Sequence, residues 1–163
     1  MEPLIDVTTN EKVLVITRTF DAPRALVWRA FSDPVHLRQW WGPKGYTNPV
    51  CELDFRVGGH WHNVMRAPDG KELPVDATFT EIVEPERIVY RNAPPKGEVW
   101  GDNPPPTFVR TITFTEENGR TTLTLRAEFD TAADRERAMK RGFIEGTLES
   151  YDRLARLLEK QRE

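Results

Sequence analysis

The residue types most able to do chemistry lie in the segment GGHWHNVM, residues 58–65. His60 and His62 stand two positions apart there, and such a pair can supply two zinc ligands. A catalytic zinc site needs a third ligand and access for water. Outside this segment the sequence offers His36 as a further histidine and Cys51 as its single cysteine. The histidine pair therefore does not by itself predict a metal site.

Side chains alternate along a strand, and this alternation separates the histidines from their neighbours. Trp61 and Met65 are the residues of this segment that suit a hydrophobic core, and they share a face with Asn63. We therefore expect His60 and His62 to face solvent, without a metal. Asn63 then points inward, where an amide without a hydrogen-bond partner costs about 1–3 kcal/mol.

Arg110 is a second polar residue for which an inward orientation is predicted. Its strand neighbours of the same parity are Phe108, Ile112 and Phe114, so the guanidinium points into the core or reaches its rim. An ion pair with Glu81 would give Arg110 a purely structural role. Alternatively, Arg110 is one of a few polar groups in a mostly apolar pocket.

The composition indicates the kind of protein that must hold these side chains in place. At 163 residues the chain suits one domain, residues 1–163, and 38% hydrophobic residues are enough for a core. The net charge is −3 with acids and bases mixed, so no phosphate-neutralising surface for nucleic acid is expected. We see no basic-then-apolar leader and no apolar run of membrane-spanning length. With one cysteine and no internal disulfide, a cytoplasmic protein is expected.

Alternation typical of strands recurs along most of the chain, at the spacing of antiparallel hairpins. The predicted strands are residues 12–20, 50–55, 60–66, 74–83, 88–91, 108–115 and 121–129. Two short helices follow the first strand: Asp21 is expected to cap the first, and Ser32-Asp33-Pro34 to end it and start the second. Residues 93–106 are rich in proline and form a loop around Trp100.

The last segment has helical periodicity. Apolar residues recur at steps of three and four from Ala132 to Gln161, which predicts one helix roughly 45 Å long. Gly142 and Gly146 lie inside it, and each lowers the stability of a helix by about 1 kcal/mol relative to alanine. Together with Ser150 they leave a stripe of little side-chain volume. One helix across one antiparallel sheet is an α+β architecture. The stripe either packs closely against the strands or leaves space for a ligand.

Four segments, in this order, resemble one known family. They are RTFDAPRALVWRAFSDPVHLRQWWGPKGY, DFRVGGHWHNVMRAPDG, EIVEPERIVY and GTLESYDRLARLL. The family is that of proteins similar to the C-terminal domain of the activator of heat-shock protein 90 ATPase. It belongs to the START-related, birch-pollen-allergen-like (SRPBCC) superfamily. The resemblance extends from about residue 12 to residue 160.

The resemblance implies a helix-grip fold: a curved seven-stranded antiparallel sheet, two short helices after strand 1, and a long C-terminal helix over an internal cavity. Superfamily members bind lipids, steroids or polyketides, and a few are cyclases or hydrolases. The expected function is binding of a small hydrophobic molecule in that cavity, without a cofactor. A cyclase- or hydrolase-type enzyme and a co-chaperone-like module with a chaperone partner are the alternatives. No nucleophile–base motif or phosphate-binding loop in the sequence favours the enzyme.

Three positions depart from the family pattern. Thr147 stands where tryptophan is frequent, Tyr151 where leucine is usual and Ala77 where glycine is usual. The absence of an indole at position 147 is expected to widen the pocket beside Tyr151. We expect Tyr46 and the loop around Trp100 to form the pocket mouth. The predicted ligand-binding residues are Trp41, Tyr46, Trp61, Asn63, Met65, Phe79, Tyr90, Arg110, Phe143, Thr147 and Tyr151.

Overall fold

The computed structural model describes residues 3–94, 98–101 and 104–162. The elements in chain order are β1 (Leu4–Asp6), β2 (Val13–Phe20), α1 (Arg24–Ser32), α2 (Pro34–Trp40), β3 (Thr47–Leu53), β4 (His60–Arg66), β5 (Glu72–Val83), β6 (Arg87–Asn92), a 3-10 turn (Glu98–Trp100), β7 (Phe108–Glu117), β8 (Arg120–Phe129), α3 (Ala132–Lys140) and α4 (Phe143–Arg162). Within these residues eight strands form one sheet in the order β1-β2-β8-β7-β6-β5-β4-β3. Every neighbouring pair is antiparallel.

The α+β class and the seven predicted strands are confirmed, but the sheet has one strand more. The additional strand, β1, pairs its Leu4 with Thr17 of β2 at the sheet edge. It is three residues long and its Leu4 is 70% exposed. So short and exposed a strand carries no hydrophobic alternation, and the sequence pattern therefore gave no sign of it.

The first short helix begins differently from the prediction. Asp21 does not cap α1; Pro23 occupies the N-cap position without a side-chain hydrogen bond. The backbone N–H of Arg24 instead donates to the carboxylate of Glu116 on β7, so a distant strand supplies the cap. The second helix starts as predicted, with the side chain of Asp33 accepting from a backbone N–H in the first turn.

The terminal segment is two helices, and the prediction of one continuous helix was wrong. Gly142 lies between α3 and α4 with a φ of +88°. This left-handed conformation commonly ends helices, and glycine adopts it without the steric cost of a Cβ. Of the two glycines, only Gly146 therefore sits inside a helix. The break lets α3 pack on β2 and β8 while α4 lies against α1 and α2.

The core lies between one face of the sheet and the helices. The largest fully buried side chains include Trp40, Phe114, Phe129, Leu14, Ile16, Leu123, Leu125 and Leu154. Burial alternates along β8, and α4 buries Tyr151, Leu154 and Leu158 at steps of three and four. These contacts hold the second half of α4 on the sheet. The first half of α4, which begins with Phe143, carries Gly146 and Thr147 and leaves space beneath it.

Candidate functional site

Two adjoining cavities lie between the sheet and the elements that cover it. The first, which we call the helix chamber, has a volume of about 170 Å³ and lies between the start of α4, the loop after α2 and strands β7 and β8. The second, the loop chamber, has a volume of about 220 Å³. It lies between strands β4 to β7 and the chain segment before β7, from which Trp100 and Pro105 contribute.

Eight of the eleven predicted site residues line these chambers. They are Trp41, Trp61, Met65, Tyr90, Arg110, Phe143, Thr147 and Tyr151. Four of them line both chambers and separate one from the other: Trp41, Met65, Arg110 and Phe143. We call these four residues the partition. Its members come from the loop after α2, from β4, from β7 and from the first position of α4.

The helix chamber follows from the small residues of α4. Gly146, Thr147 and Ser150 face it, as does Gly142 at the helix break. A Cβ added at Gly146 would meet only Pro43, at 3.5 Å from its Cγ. The stripe of small residues predicted from the sequence therefore borders open space, although Gly142 borders it from a turn.

Tyr46, Asn63 and Phe79 line neither chamber among the described residues. Tyr46 closes a turn by donating its backbone N–H to the carbonyl of Pro43 at 3.1 Å, which places Pro43 at the chamber wall. Phe79 is buried in the core against Phe55, with ring centroids 5.2 Å apart. Neither the Tyr46 nor the Phe79 side chain is therefore part of a chamber wall.

Asn63 is fully buried, and its partners were not foreseen. Its Nδ2 donates to Oδ1 of Asn48 at 3.0 Å, and the Asn48 amide donates to the carbonyl oxygens of Trp41 and Arg38 at 2.8 and 2.9 Å. Asn63 thus holds the loop after α2 through Asn48. Its contribution to the chambers is to position Trp41.

Arg153 on α4 fixes the same loop, a role that was not predicted from the sequence. Its Nη1 donates to the carbonyls of Trp41, Gly42 and Pro43 at 3.0, 2.9 and 3.1 Å. Desolvation by burial, with a smaller contribution from the nearby Arg156 charge, lowers the pKa of Arg153 below its ordinary value. An arginine on a helix carries no local signal for this role, because its acceptors come from a segment about 110 positions away.

Arg110 lies in the partition with aromatic rings on several sides. Its guanidinium carbon is within cation–π distance of four rings: Phe108 (4.9 Å), Phe143 (5.2 Å), Trp41 (5.3 Å) and Tyr90 (5.6 Å). Its Nη1 donates to the Tyr90 hydroxyl at 2.8 Å. The proposed ion pair with Glu81 is not formed, since Glu81 binds Arg87 across the hairpin. No carboxylate among the described residues pairs with Arg110.

Two tyrosines complete the polar lining. Burial raises the pKa of Tyr90 and of Tyr151 above the ordinary value of 10, and the Arg110 charge opposes the shift in both. Both phenols are therefore neutral at physiological pH. Because Tyr90 accepts the hydrogen bond from Arg110, its own proton is free to be donated, and no described residue accepts it.

Several buried N–H groups near the chambers lack acceptors among the described residues. They include Nε of Arg110 and Nε1 of Trp100 and Trp61. The Trp61 indole lies close to the Cys51 thiol, a weak acceptor whose pKa is raised by burial and lowered less by Trp61. For Arg110 and Trp100, which line the loop chamber, the part of the chain that the structure describes supplies no such neighbour.

The histidines lie on the outer face of β4, as predicted. His60 Nδ1 is 3.1 Å from Oγ1 of Thr78, and His62 Nδ1 is 2.7 Å from Oδ1 of Asp76. Within residues 3–94, 98–101 and 104–162, no group of three or more His, Cys, Asp or Glu side chains could hold a metal ion. None of the helices in that part of the chain is long and apolar enough to cross a membrane.

An antiparallel sheet that grips a C-terminal helix, with two short helices after its first long strand, defines the helix-grip class. The profile of the family described as Activator of Hsp90 ATPase homolog 1-like protein matches residues 21–159. The chain belongs to this family. The search of curated proteins gave no match.

Solved bacterial structures have the same fold. Protein NE0264 from Nitrosomonas europaea is 28% identical, with a TM-score of 0.83 over 93% of this chain and 97% of that one. Protein Ms6760 from Mycobacterium smegmatis is 27% identical, with a TM-score of 0.83 over 99% and 98%. The AHSA1 protein SPO3351 from Silicibacter pomeroyi is 25% identical, with a TM-score of 0.73 over 91% and 99%.

Proposed function

We propose that this protein binds a small, mostly apolar molecule in the helix and loop chambers. The observation that carries the proposal is unfilled, aromatic-walled space in a protein whose remaining core is well packed. Native interiors contain few voids larger than a water molecule. A mostly apolar hollow with a few convergent polar groups is the usual form of a small-molecule site.

The volumes limit the size of the molecule. An apolar cavity of about 150 Å³ is large enough for benzene, and the chambers measure about 170 and 220 Å³. Pockets for drug-sized ligands are typically about 300–1,000 Å³. Each chamber therefore suits one ring system or a short alkyl chain. A longer molecule would require the Trp41 or Phe143 side chain of the partition to move aside.

We propose binding in preference to catalysis because the chambers lack a nucleophile–base pair among their described lining residues. Ser150 faces the helix chamber, but His60 and His62 lie on the outer face of the sheet, and His36 bonds Gln161 at 2.9 Å. General-base catalysis needs the base within hydrogen-bond reach of the group that it deprotonates.

A chaperone partner is less well supported than a small molecule. A protein-binding surface on the helix pair would need contiguous exposed apolar side chains. Among the described residues of α1 and α2, Val35 is the one large hydrophobic side chain that is exposed, at 63%. The apolar groups of these helices instead face the core and the chambers.

The test is calorimetric titration of the protein with 2-naphthol, which is neutral at pH 7, comparing the wild type with two tryptophan variants. Thr147→Trp places an indole in the helix chamber, and Glu159→Trp places the same residue on the exposed face of α4 as a control. We expect wild-type binding to be retained in Glu159→Trp and weakened at least about tenfold in Thr147→Trp. Absence of binding to the wild type would reject the chambers as the site, and equal binding by both variants would reject the helix chamber.

A further inference from the structure

We infer that the molecule bound in the chambers is a monoanion, most simply an aromatic or short aliphatic carboxylate, and that Arg110 and Tyr90 bind its charged group. This inference rests on the proposed function and adds the chemical class of the ligand. It follows from how the charge and the hydrogen-bond donors of the partition are satisfied.

Arg110 is partly buried, and its hydrogen bonding differs from that of Arg135 and Arg153, which are also withdrawn from solvent in part or fully. Arg135 donates three hydrogen bonds to backbone carbonyls at the start of the chain, at 2.6 to 3.1 Å, and one to Glu136. Arg153 donates to four backbone carbonyls. Arg110 makes a single hydrogen bond within the described residues, to a neutral phenol. Nε is buried without an acceptor in both Arg110 and Arg135, so the difference lies in the other hydrogen bonds and in the ion pair of Arg135 with Glu136.

The aromatic rings around Arg110 favour a cation but do not neutralise it. Cation–π contacts offset part of the lost hydration of a guanidinium. Charges removed from water are normally paired with an opposite charge or fully hydrogen-bonded. Arg110 is partly removed from water and has neither within the described residues, so an anion beside it is a group that a ligand can supply.

The available donors belong to residues that line the loop chamber. Arg110 offers the guanidinium N–H groups that its one hydrogen bond within the described residues leaves unused, and Tyr90 offers its hydroxyl proton, because its oxygen already accepts from Arg110. Trp100 also lines this chamber, and its indole N–H is buried without an acceptor among the described residues. A carboxylate has two oxygens with about four acceptor sites and binds a guanidinium through charge-assisted hydrogen bonds. It therefore has enough acceptor sites for the Arg110 and Tyr90 donors.

The charges around the site favour a ligand that carries a single negative charge. Tyr90 and Tyr151 stay neutral because burial raises the pKa of each. Asp76 is the one described carboxylate that lines the chamber; it lies at the outer edge, binds His62 at 2.7 Å and is 52% exposed in its side chain. One guanidinium balances one charge, whereas a phosphate dianion would leave a second charge desolvated without a partner.

The experiment compares 2-naphthoate with 2-naphthamide, which has the same ring system but a neutral head group. Both are titrated calorimetrically at pH 7.5 into the full chain and into Arg110→Met, Arg110→Lys and Tyr90→Phe. Arg56→Met, which removes an arginine that pairs with Asp54 at the surface, is the matched control. Thermal melting confirms that each variant is folded.

We expect the wild type to bind naphthoate at least about tenfold more tightly than naphthamide, the size of effect typical of a hydrogen-bonded charge. Arg110→Met should reduce naphthoate affinity by about the same factor and change naphthamide affinity by less than about threefold. Arg110→Lys should retain part of the preference for the acid, and Tyr90→Phe should weaken naphthoate selectively. Arg56→Met should leave both affinities unchanged.

Equal binding of acid and amide by the wild type would overturn the inference and leave the proposed function standing. Failure of both probes to bind would remove the proposed function and the inference together. If Arg110→Met does not fold, the ratio of the affinities for 2-naphthoate and 2-naphthamide, measured in the wild type and in Tyr90→Phe, still decides the question.

Discussion

Two glycines four positions apart at the start of α4 should respond oppositely to alanine. Gly146 lies inside the helix, and its backbone N–H donates to the carbonyl of Gly142 at 2.8 Å. A Cβ at position 146 would be 3.5 Å from Cγ of Pro43, an ordinary contact. Gly146→Ala therefore removes the helix cost of glycine without strain. We expect the free energy of unfolding to rise by about 0.5–1 kcal/mol.

Gly142 has comparable space but a different backbone. A Cβ there would meet only Oε2 of Glu145, at 3.7 Å, yet the φ of +88° is one that residues with a Cβ rarely adopt. Gly142→Ala should therefore lower the free energy of unfolding by about 1–2 kcal/mol. The difference between the two variants comes from the backbone, because neither added methyl group collides with a neighbour.

Urea denaturation and calorimetric melting of both variants give the test. For a protein of this size 1 kcal/mol corresponds to about 2–4 °C in Tm, so the two variants should lie on opposite sides of the wild type. An increase in stability for Gly142→Ala would mean that one continuous helix crosses the sheet. It would refute the helix break and the position of the chamber wall that depends on it.

Three further changes test the core, the tyrosines and the chamber wall. Leu154→Ala, at a fully buried position of α4, should cost about 2–5 kcal/mol in urea denaturation; a loss below 1 kcal/mol would contradict tight packing there. Because burial raises the folded pKa of Tyr151, the stability that this phenol contributes is complete below pH 10 and is lost as pH rises further. The Tm of Tyr151→Phe should accordingly fall less than the Tm of the wild type between pH 9 and 11. Equal decreases in Tm for the two proteins would contradict the raised pKa of Tyr151. Arg153→Met should speed amide exchange around Trp41 relative to Arg156→Met, and equal exchange rates would show that the Arg153 hydrogen bonds do not hold this loop in place.

Side-chain alternation was the sequence signal that carried most information about the site. It predicted that Trp61 and Met65 face inward while His60 and His62 face outward, and the structure confirms these orientations. This works because a strand offers only two faces, so a single clear core residue fixes the others. The same reasoning predicted an inward Arg110.

The partners of inward polar residues could not be predicted in the same way. A register shift in the β5–β6 pairing between Phe79 and Glu81 changes which residues face each other. Glu81 consequently meets Arg87 and not Arg110. A register shift of this kind depends on how two strands pair. It therefore cannot be predicted from the alternation of residues along one strand.

The helix break was predictable in principle. Lys140 and Arg141 precede Gly142, and basic residues followed by glycine are a common helix C-terminal pattern. The apolar periodicity continues across this point, so the periodicity alone favoured one helix. The role of Arg153 had no comparable signal, because its acceptors are backbone carbonyls of a distant loop.

The most direct test of the binding cavity is an NMR measurement of contacts between bound 2-naphthol and assigned methyl groups. The proposal predicts intermolecular nuclear Overhauser effects to the methyl groups of Thr147, Met65 and Leu125, all of which line the helix chamber. Contacts confined to exposed hydrophobic residues such as Leu4 and Val57, or no contacts at all, would contradict it.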